Sequence, residues 1–127
     1  LSRLVGSEMC IRDRKEVEEY AIKFSKRFDA ECIITLGPKG SLLATREGLY
    51  KIDALEVEAI DTVGAGDMFV GAFSAGLFKG ECTTSSLQRA TVASGLACKF
   101  NGAQPSLVTP QLVESELQRL PLPRKIA

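Results

Sequence analysis

The sequence contains no histidine among its 127 residues. This absence excludes Ser-His-Asp and Cys-His catalysis from the chain, because both need an imidazole as the general base. The cysteines are far apart and form no C-x-x-C pair, so a zinc site is not expected either. Scattered cysteines with apolar neighbours are typical of the reducing cytoplasm, which is the location that we predict.

The chain also lacks an excess of charge of either sign. Its 16 basic and 16 acidic side chains give a formal net charge of zero, which argues against nucleic acid or an anionic membrane as a partner. No apolar run approaches the roughly 20 residues that a membrane-spanning helix needs. Apolar residues still make up 45% of the chain, so one small domain with a packed core is possible.

The most informative feature that is present is the segment Asp61-Thr62-Val63-Gly64-Ala65-Gly66-Asp67, which leads into an apolar run of helical length. Amide groups at the start of a helix have no partners within it, and with the helix dipole they attract phosphate. We therefore expect an anion hole at Gly64, Ala65 and Gly66.

The carboxylate of Asp67 stands directly after these glycines. It would repel phosphate, but it is well placed to accept the proton of a hydroxyl that attacks a phosphate. The pattern thus predicts phosphoryl transfer to an alcohol, with Asp67 as catalytic base. The alternative is a helix start whose glycines serve a tight turn and whose carboxylate only stabilises the helix dipole, by roughly 0.3–1 kcal/mol.

This segment resembles the D-T-x-G-A-G-D signature of the ribokinase-like (PfkB) family of carbohydrate kinases, and every fixed letter is present. Two more segments resemble the family in matching order: residues 35–40 resemble its T-L-G-x-x-G turn, and residues 101–106 resemble the G-A-Q-P-S segment of ribokinases. The resemblance implies an α/β fold, the C-terminal part of a three-layer αβα ribokinase-like (Rossmann-like) fold. It also implies an ATP-dependent sugar kinase, with D-ribose favoured as the substrate.

The same resemblance implies binding residues. Asp67 would contact the sugar as well as ATP. ATP, accompanied by Mg²⁺, would lie against Gly66 and along a set of residues from the turn and from a later helix: Thr35, Leu36, Gly37, Pro38, Lys39, Gly40 and Thr91. An exposed turn lysine is an equally good interpretation of Lys39.

A monovalent cation, usually K⁺ in this family, is also implied beside the anion hole. Hard oxygen ligands suit such an ion. The ligands would be the Asp61 carboxylate and oxygens of five further residues: Val63, Ala97, Phe100, Gly102 and Ser106. The alternative interpretation of Asp61 is a loop cap that accepts a hydrogen bond from the amide of Thr62 or Val63.

Residues 1–14 have no clear helical or strand period, and residues 8–14 resemble the translation of a transposase adapter used in sequencing libraries. We predict that residues 1–14 are a non-native scar and that residues 15–127 are the C-terminal ATP-binding and catalytic part of a PfkB kinase domain. Members of the family carry most of the sugar site upstream of this part. The chain alone is therefore expected to be inactive, and the complete enzyme to be a homodimer.

Other identities stay open at this point. Fructokinase, 2-keto-3-deoxygluconate kinase and nucleoside kinases belong to the same family, and the sugar site that separates them is not in this sequence. A non-catalytic nucleotide-binding module, or a decayed kinase, is the alternative of a different class. The intact Asp67 and glycines count against decay.

Hydrophobic period and turn residues also predict the elements. We expect a helix over residues 15–28, a strand over 31–36, a hairpin of 41–45 with 49–52, and an extended stretch over 57–60. Three helices should follow, over residues 66–78, over 86–100 and from 110 to about 120. Gly80 should end the first of these, Thr84 or Ser85 should cap the second, and Thr109 should cap the third.

Overall fold

The computed structural model of the chain describes residues 14–100 and 108–127. The chain divides into two compact units, Leu1–Lys51 with Arg124–Ala127, and Ile52–Pro123. The predictions for residues 1–13, and for the G-A-Q-P-S segment with Gly102 and Ser106, lie outside the described residues. Within the described ranges, no helix combines the length and the apolar character needed to cross a membrane.

The first unit is a helix packed on an antiparallel sheet. Helix α1 (Arg14–Phe28) contacts strands β1 (Cys32–Thr35) and β2 (Ser41–Thr45). The sheet continues with β3 (Gly48–Ile52) and β4 (Arg124–Lys125), in the order β1-β2-β3-β4. Its core consists of apolar side chains from α1 and the first three strands: Val17, Ala21, Cys32, Ile34, Leu42, Ala44 and Leu49.

A short turn joins β1 to β2. The segment Gly37–Lys39 forms one turn of 3-10 helix, and the amide of Leu36 donates to the carbonyl of Gly40 at 2.7 Å. Gly37 and Gly40 have φ angles of 58° and 91°, in the left-handed region that glycine adopts without steric cost. The turn predicted from T-L-G-P-K-G is therefore confirmed.

The second unit contains three helices, α2 (Ala65–Phe78), α3 (Thr83–Ala97) and α4 (Pro110–Glu116). The side chain of Leu87 on α3 is fully buried, as is that of Phe73 on α2 apart from 1%. Close contact between α2 and α3 depends on Gly76, because a Cβ atom there would stand 2.6 Å from Oγ of Ser86. Small residues along these helices thus allow the backbones to approach.

Most predicted element bounds agree with the structure to within one or two residues. The last helix was predicted to reach about residue 120, but α4 ends at Glu116 and one turn of 3-10 helix follows over Leu117–Arg119. Gly80 (φ 86°) directly follows the C-cap of α2, as expected. Thr109 caps α4, with its hydroxyl accepting a hydrogen bond from the amide of Leu112 at 3.1 Å. The predicted extended stretch over residues 57–60 belongs to no strand.

The predicted bounds of α3 were wrong by three residues at each end. The helix begins at Thr83 because Cys82 takes the extended N-cap conformation, so that the predicted capping residues form the first turn instead. It ends at Ala97, and the next carbonyl, that of Cys98, accepts the amides of Ile60 and Asp61 at 2.8 and 3.1 Å. A carbonyl taken by loop amides is not available to continue a helical ladder.

Candidate functional site

The signature segment forms a sharp turn into α2. Gly64 is the N-cap residue and has φ 81° and ψ −4°, a left-handed conformation that disfavours any residue with a Cβ atom. The amide of Ala65 donates to the carbonyl of Thr62 at 3.2 Å, and that of Met68 donates to the carbonyl of Gly64 at 3.0 Å. The amides of Gly66 and Asp67 are the second and third of the helix, so they have no acceptor within it.

No side chain caps this helix start, since Gly64 has none to offer. The unpaired amides belong to Gly66 and Asp67, and a Cβ atom added at Gly66 would meet nothing within 4 Å. The position of Gly66 is thus not crowded by the other described side chains, and amides without a partner at a helix start can bind an anion. Ala65 and Gly66 lie in the first turn of α2, directly after Gly64, so the signature segment opens a helix as the sequence predicted.

Asp67 lies in the same first turn and is exposed. The side chain is thus available to a hydroxyl group that approaches from solvent or from a bound ligand. A carboxylate and free amides within one helical turn are the arrangement needed to deprotonate a nucleophile beside a phosphate.

A cavity of about 530 Å³ begins at this turn and runs between α2, α3 and α4. The volume is in the range of small-molecule sites. Small and apolar side chains form most of its wall, while Asp67, Lys79 and Arg89 supply the charged groups.

Arg89 is held by two carboxylates. Its guanidinium donates to both oxygens of Glu81 at 3.1 and 2.8 Å and to Glu114 at 2.8 Å. These hydrogen bonds raise the pKa of Arg89 above its usual value. The cluster joins α3 to α4 and to the turn after α2, so Arg89 holds these parts of the cavity wall together. The positive charge of the Arg89 guanidinium is already compensated by the two carboxylates.

The predicted cation ligands that the structure describes lie around one end of α3. The carboxylate of Asp61 accepts a hydrogen bond from the amide of Val63 at 2.9 Å, which is the loop cap considered as the alternative interpretation. The carbonyl of Cys98 binds the amide of Asp61 and so holds the signature loop beside Ala97. Phe100 follows within the same short turn, where its amide donates to the carbonyl of Ala97 at 3.2 Å.

The other predicted ATP contacts are Thr91 on α3 and the turn of residues 35–40. Thr91 is buried, and its hydroxyl donates to the carbonyl of Leu87 at 2.7 Å. It faces away from the cavity, which α3 lines with Arg89, Ala93 and Ala97. Residues 35–40 belong to the first unit, where Thr35, Gly37, Pro38 and Lys39 are exposed.

Sequence reasoning gave no role to Cys82. This exposed thiol stands at the N-cap of α3, with the hydroxyls of Ser85 and Thr84 at 3.2 and 3.4 Å from its Sγ. Hydrogen bonds from Ser85, then Thr84, lower the pKa of Cys82 to about 7. A cysteine just before the run T-T-S-S was the signal that could have indicated this environment.

We expect Cys82 to be alkylated faster than the other described thiols at neutral pH. Its rate with iodoacetamide should rise through a midpoint near pH 7 and then level off, because the thiolate is the nucleophile. Burial raises the pKa of Cys32, and burial followed by the charge of Asp61 raises that of Cys98, so both should react at higher pH. Mass spectrometry of quenched samples gives each rate.

The variant Ser85→Ala is the control for this prediction. Loss of the largest stabilising hydrogen bond should move the midpoint for Cys82 upward while leaving that of Cys98 in place. A wild-type midpoint for Cys82 at the 8.5 or so of an ordinary thiol would contradict the expected environment.

The chain is 38% identical over 104 residues to ribokinase of Lactococcus lactis, covering 82% of this chain and 33% of that protein. It is 39% identical over 66 residues to aminoimidazole riboside kinase of Salmonella typhimurium, covering 52% of this chain and 21% of that protein. The chain thus spans a third or less of the length of these relatives.

Solved structures give the same result for the fold. The ribokinase of Thermotoga maritima superposes with a TM-score of 0.73 at 32% identity, over 80% of this chain and 34% of that one. The ribokinase of Arabidopsis thaliana, complexed with ribose and ATP, superposes with a TM-score of 0.74 at 25% identity, over 84% and 35%. The predicted α/β class and partial ribokinase fold are therefore confirmed.

A family model provides the last comparison. The model of the pfkB family of carbohydrate kinases matches residues 1–110. This range includes the signature turn, the free amides of α2 and Asp67. The chain therefore belongs to the pfkB family of carbohydrate kinases.

Proposed function

We propose that the chain carries the anion hole and the catalytic base of an ATP-dependent sugar kinase. The observation that carries this proposal is the first turn of α2, where Asp67 and the unpaired amides of Gly66 and Asp67 follow a left-handed Gly64. In such a site, Asp67 accepts the proton of the sugar hydroxyl as its oxygen attacks the γ-phosphorus of ATP. The bond to the β,γ-bridging oxygen breaks, and ADP leaves.

The amides of the turn would act on the phosphoryl group. Negative charge is spread over its equatorial oxygens during transfer, and fixed N–H dipoles stabilise that charge without reorganisation. The transition state is loose, so the hydroxyl loses its proton late and a weak base such as a carboxylate suffices. Asp67 therefore needs correct placement more than a high pKa.

ATP would be bound through the turn of residues 35–40, with Mg²⁺ on its phosphates. Support comes from the exposure of that turn and from its left-handed glycines, whose backbone can approach a ligand closely. The matched ribokinase of Arabidopsis thaliana has been solved with ribose and ATP. Thr91 is the weakest of the proposed ATP contacts, since its hydroxyl is already bonded to Leu87.

A monovalent cation, K⁺ by resemblance, would sit between the signature loop and the end of α3. The described donors fit such an ion, because they are a carboxylate and backbone carbonyls and include no nitrogen or sulfur ligand. Asp61, Val63, Ala97 and Phe100 would hold it, together with Gly102 and Ser106. The ion would add positive charge beside the anion hole.

The substrate that we favour is D-ribose, giving ribose 5-phosphate. The extent of the match to the Lactococcus lactis ribokinase supports this choice. Aminoimidazole riboside kinase, which matches at similar identity over a shorter segment, supports a riboside as the first alternative. Fructokinase, 2-keto-3-deoxygluconate kinase and other nucleoside kinases follow.

We further propose that residues 15–127 are the C-terminal, ATP-binding and catalytic part of a longer cytoplasmic kinase that works as a homodimer. The chain covers 33–35% of the length of the three ribokinases described above, which supports this division. We propose separately, from the resemblance of residues 8–14 to an adapter, that residues 1–14 are foreign to the protein, although the family match extends over residues 1–110. Sequencing the source DNA across the codons for Glu8 to Lys15 tests that part directly.

The test of function is an ADP-release assay on the full-length gene product with ATP and a panel of acceptors. The panel contains D-ribose, D-fructose, 2-keto-3-deoxygluconate, aminoimidazole riboside and adenosine. We expect kcat/KM for ribose to exceed that of every other acceptor at least tenfold, and the 127-residue chain alone to show no turnover. ATP binding without ADP release for any acceptor would instead favour the non-catalytic nucleotide-binding module.

A further inference from the structure

A segment without regular structure precedes the signature turn. Residues 53–61, which we call the lead segment, form neither helix nor strand. Leu55 alone among them is buried, with 6% of its surface exposed. A segment that belongs to no helix or sheet is held only by the contacts that it makes at a few points. Those contacts therefore decide where the signature turn stands relative to α3.

The first contact is between Leu55 and Gly95 on α3. A Cβ atom added at Gly95 would stand 2.8 Å from Cβ of Leu55 and 3.2 Å from its Cδ2. Gly95 lies inside the helix and is not one of the described glycines with positive φ, so its backbone conformation does not call for glycine. Glycine also weakens a helix interior relative to alanine. The close approach of Leu55 is thus what requires glycine here.

Two further contacts hold the lead segment. The carbonyl of Cys98, just beyond the end of α3, accepts the amides of Ile60 and Asp61 at 2.8 and 3.1 Å. Nη2 of Arg119 donates to the carbonyl of Glu56 at 3.0 Å. The contact with Cys98 acts directly on the signature turn, because Asp61 is the first residue of the signature segment.

We propose that Gly95 is a positioning residue for phosphoryl transfer and acts through Leu55 and the lead segment. This inference rests on the proposed function, which assigns the anion hole and the base to the turn that the segment enters. A side chain at residue 95 would push the segment away from α3, since Cβ of Leu55 is bonded to the backbone and cannot rotate aside. The amides of Ile60 and Asp61 would then lose the carbonyl of Cys98. A misplacement of about 1 Å at a reacting group can lower a rate by about 10²-fold.

The test is Gly95→Ala in the full-length gene product. We expect kcat to fall by roughly 10- to 100-fold because the turn is displaced. KM for ATP should change by less than about threefold, since the turn of residues 35–40 is unaltered. Hydrogen exchange at the amides of Ile60 and Asp61, measured by fragmentation mass spectrometry, should become faster, because both amides lose their acceptor.

The matched control is Gly76→Ala, a second helical glycine whose added Cβ would be crowded. That atom would stand 2.6 Å from Oγ of Ser86, and none of the three atoms nearest to it belongs to the lead segment. The variant should lower Tm but leave kcat and exchange at Asp61 unchanged. Leu55→Ala removes the anchoring side chain without crowding, so it should lower kcat and speed exchange even if Gly95→Ala does not fold.

The proposal would be overturned by wild-type kcat in Gly95→Ala, or by unchanged exchange at Asp61 in both Gly95→Ala and Leu55→Ala. An equal loss of kcat in Gly76→Ala would overturn it too, since the effect would then be one of general packing. A full-length product without kinase activity would refute the proposed function. Faster exchange at Asp61 in Gly95→Ala, and not in Gly76→Ala, would still support the anchor in that case, and unchanged exchange would exclude it.

Discussion

Replacing Asp67 with Asn is expected to lower kcat for sugar phosphorylation by about 10²- to 10⁴-fold in the full-length gene product. The amide has nearly the same shape as the carboxylate, so the first turn of α2 stays intact. It cannot accept the proton of the attacking hydroxyl, however. KM for ATP should change little, because Asp67 does not compensate the charge of the nucleotide. Steady-state kinetics with the favoured sugar measure both constants.

The alternative interpretation of Asp67, a carboxylate with a structural role only, makes a different prediction. If the carboxylate only stabilises the helix dipole, Asp67→Asn should lower the free energy of unfolding by roughly 0.3–1 kcal/mol and leave kcat unchanged. Glu16, an exposed carboxylate in the first turn of α1, provides the matched control. Glu16→Gln should cost similar stability and no activity, so a small effect of both variants on kcat would exclude the role of Asp67 as base.

Replacing Gly66 with Val is expected to lower kcat by on the order of 10²-fold or more, with little change in stability. A Cβ atom at this position meets no protein atom within 4 Å, so the fold can accept the side chain. If the amides of this turn bind the phosphoryl group, as proposed, the branched methyl groups would crowd that group and contact little of the protein. Stopped assays for kcat and thermal melts for Tm separate the two effects.

A valine at the second position of another helix controls for backbone propensity. Gln111 takes that position in α4, where it is exposed and distant in sequence from the signature turn. Gln111→Val should share any cost of a β-branched residue at a helix start and keep full activity. Loss of Tm with Gly66→Val and not with Gln111→Val would mean that Gly66 serves folding, and the anion-hole role would then be wrong.

Local features of the sequence were sufficient for much of the fold. Apolar residues recur at helical spacing in α1, and two of them, Val17 and Ala21, are buried as the period predicted, whereas Tyr20 and Phe28 are exposed. Gly80 and Thr109 mark helix ends because their preferences act within one turn of chain. These predictions succeeded because the competing structures differ in energy at the residue itself.

Features that depend on distant parts of the chain were missed. The end of α3 is set by Cys98, whose carbonyl accepts amides from residues far back in the sequence. The ion pairs of Arg89 with Glu81 and Glu114 likewise join residues whose proximity no local period reveals. Tertiary contacts override propensity at such points.

The candidate site divides in the same way. The placement of Gly64 and Asp67 was predictable because both residues lie within one turn of the same helix start. The hydrogen bond of the Thr91 hydroxyl to Leu87 was not predictable. Which face of α3 is covered depends on packing against other elements. Of the predicted cation ligands, Asp61 is linked to the end of α3, where Ala97 lies, because the carbonyl of Cys98 accepts the amide of Asp61.

Strand β4 has a consequence for the order of folding. It pairs with β3 through Tyr50 opposite Lys125 and Lys51 opposite Arg124, so the whole of residues 52–123 lies between two paired strands. The neighbouring strands β2 and β3 are separated by a tight turn and can pair as soon as both exist. Long loops close slowly and at an entropic cost, so the hairpin should form early and β4 should join last. During synthesis, β3 therefore lacks its β4 partner until residues 124–125 have left the ribosome.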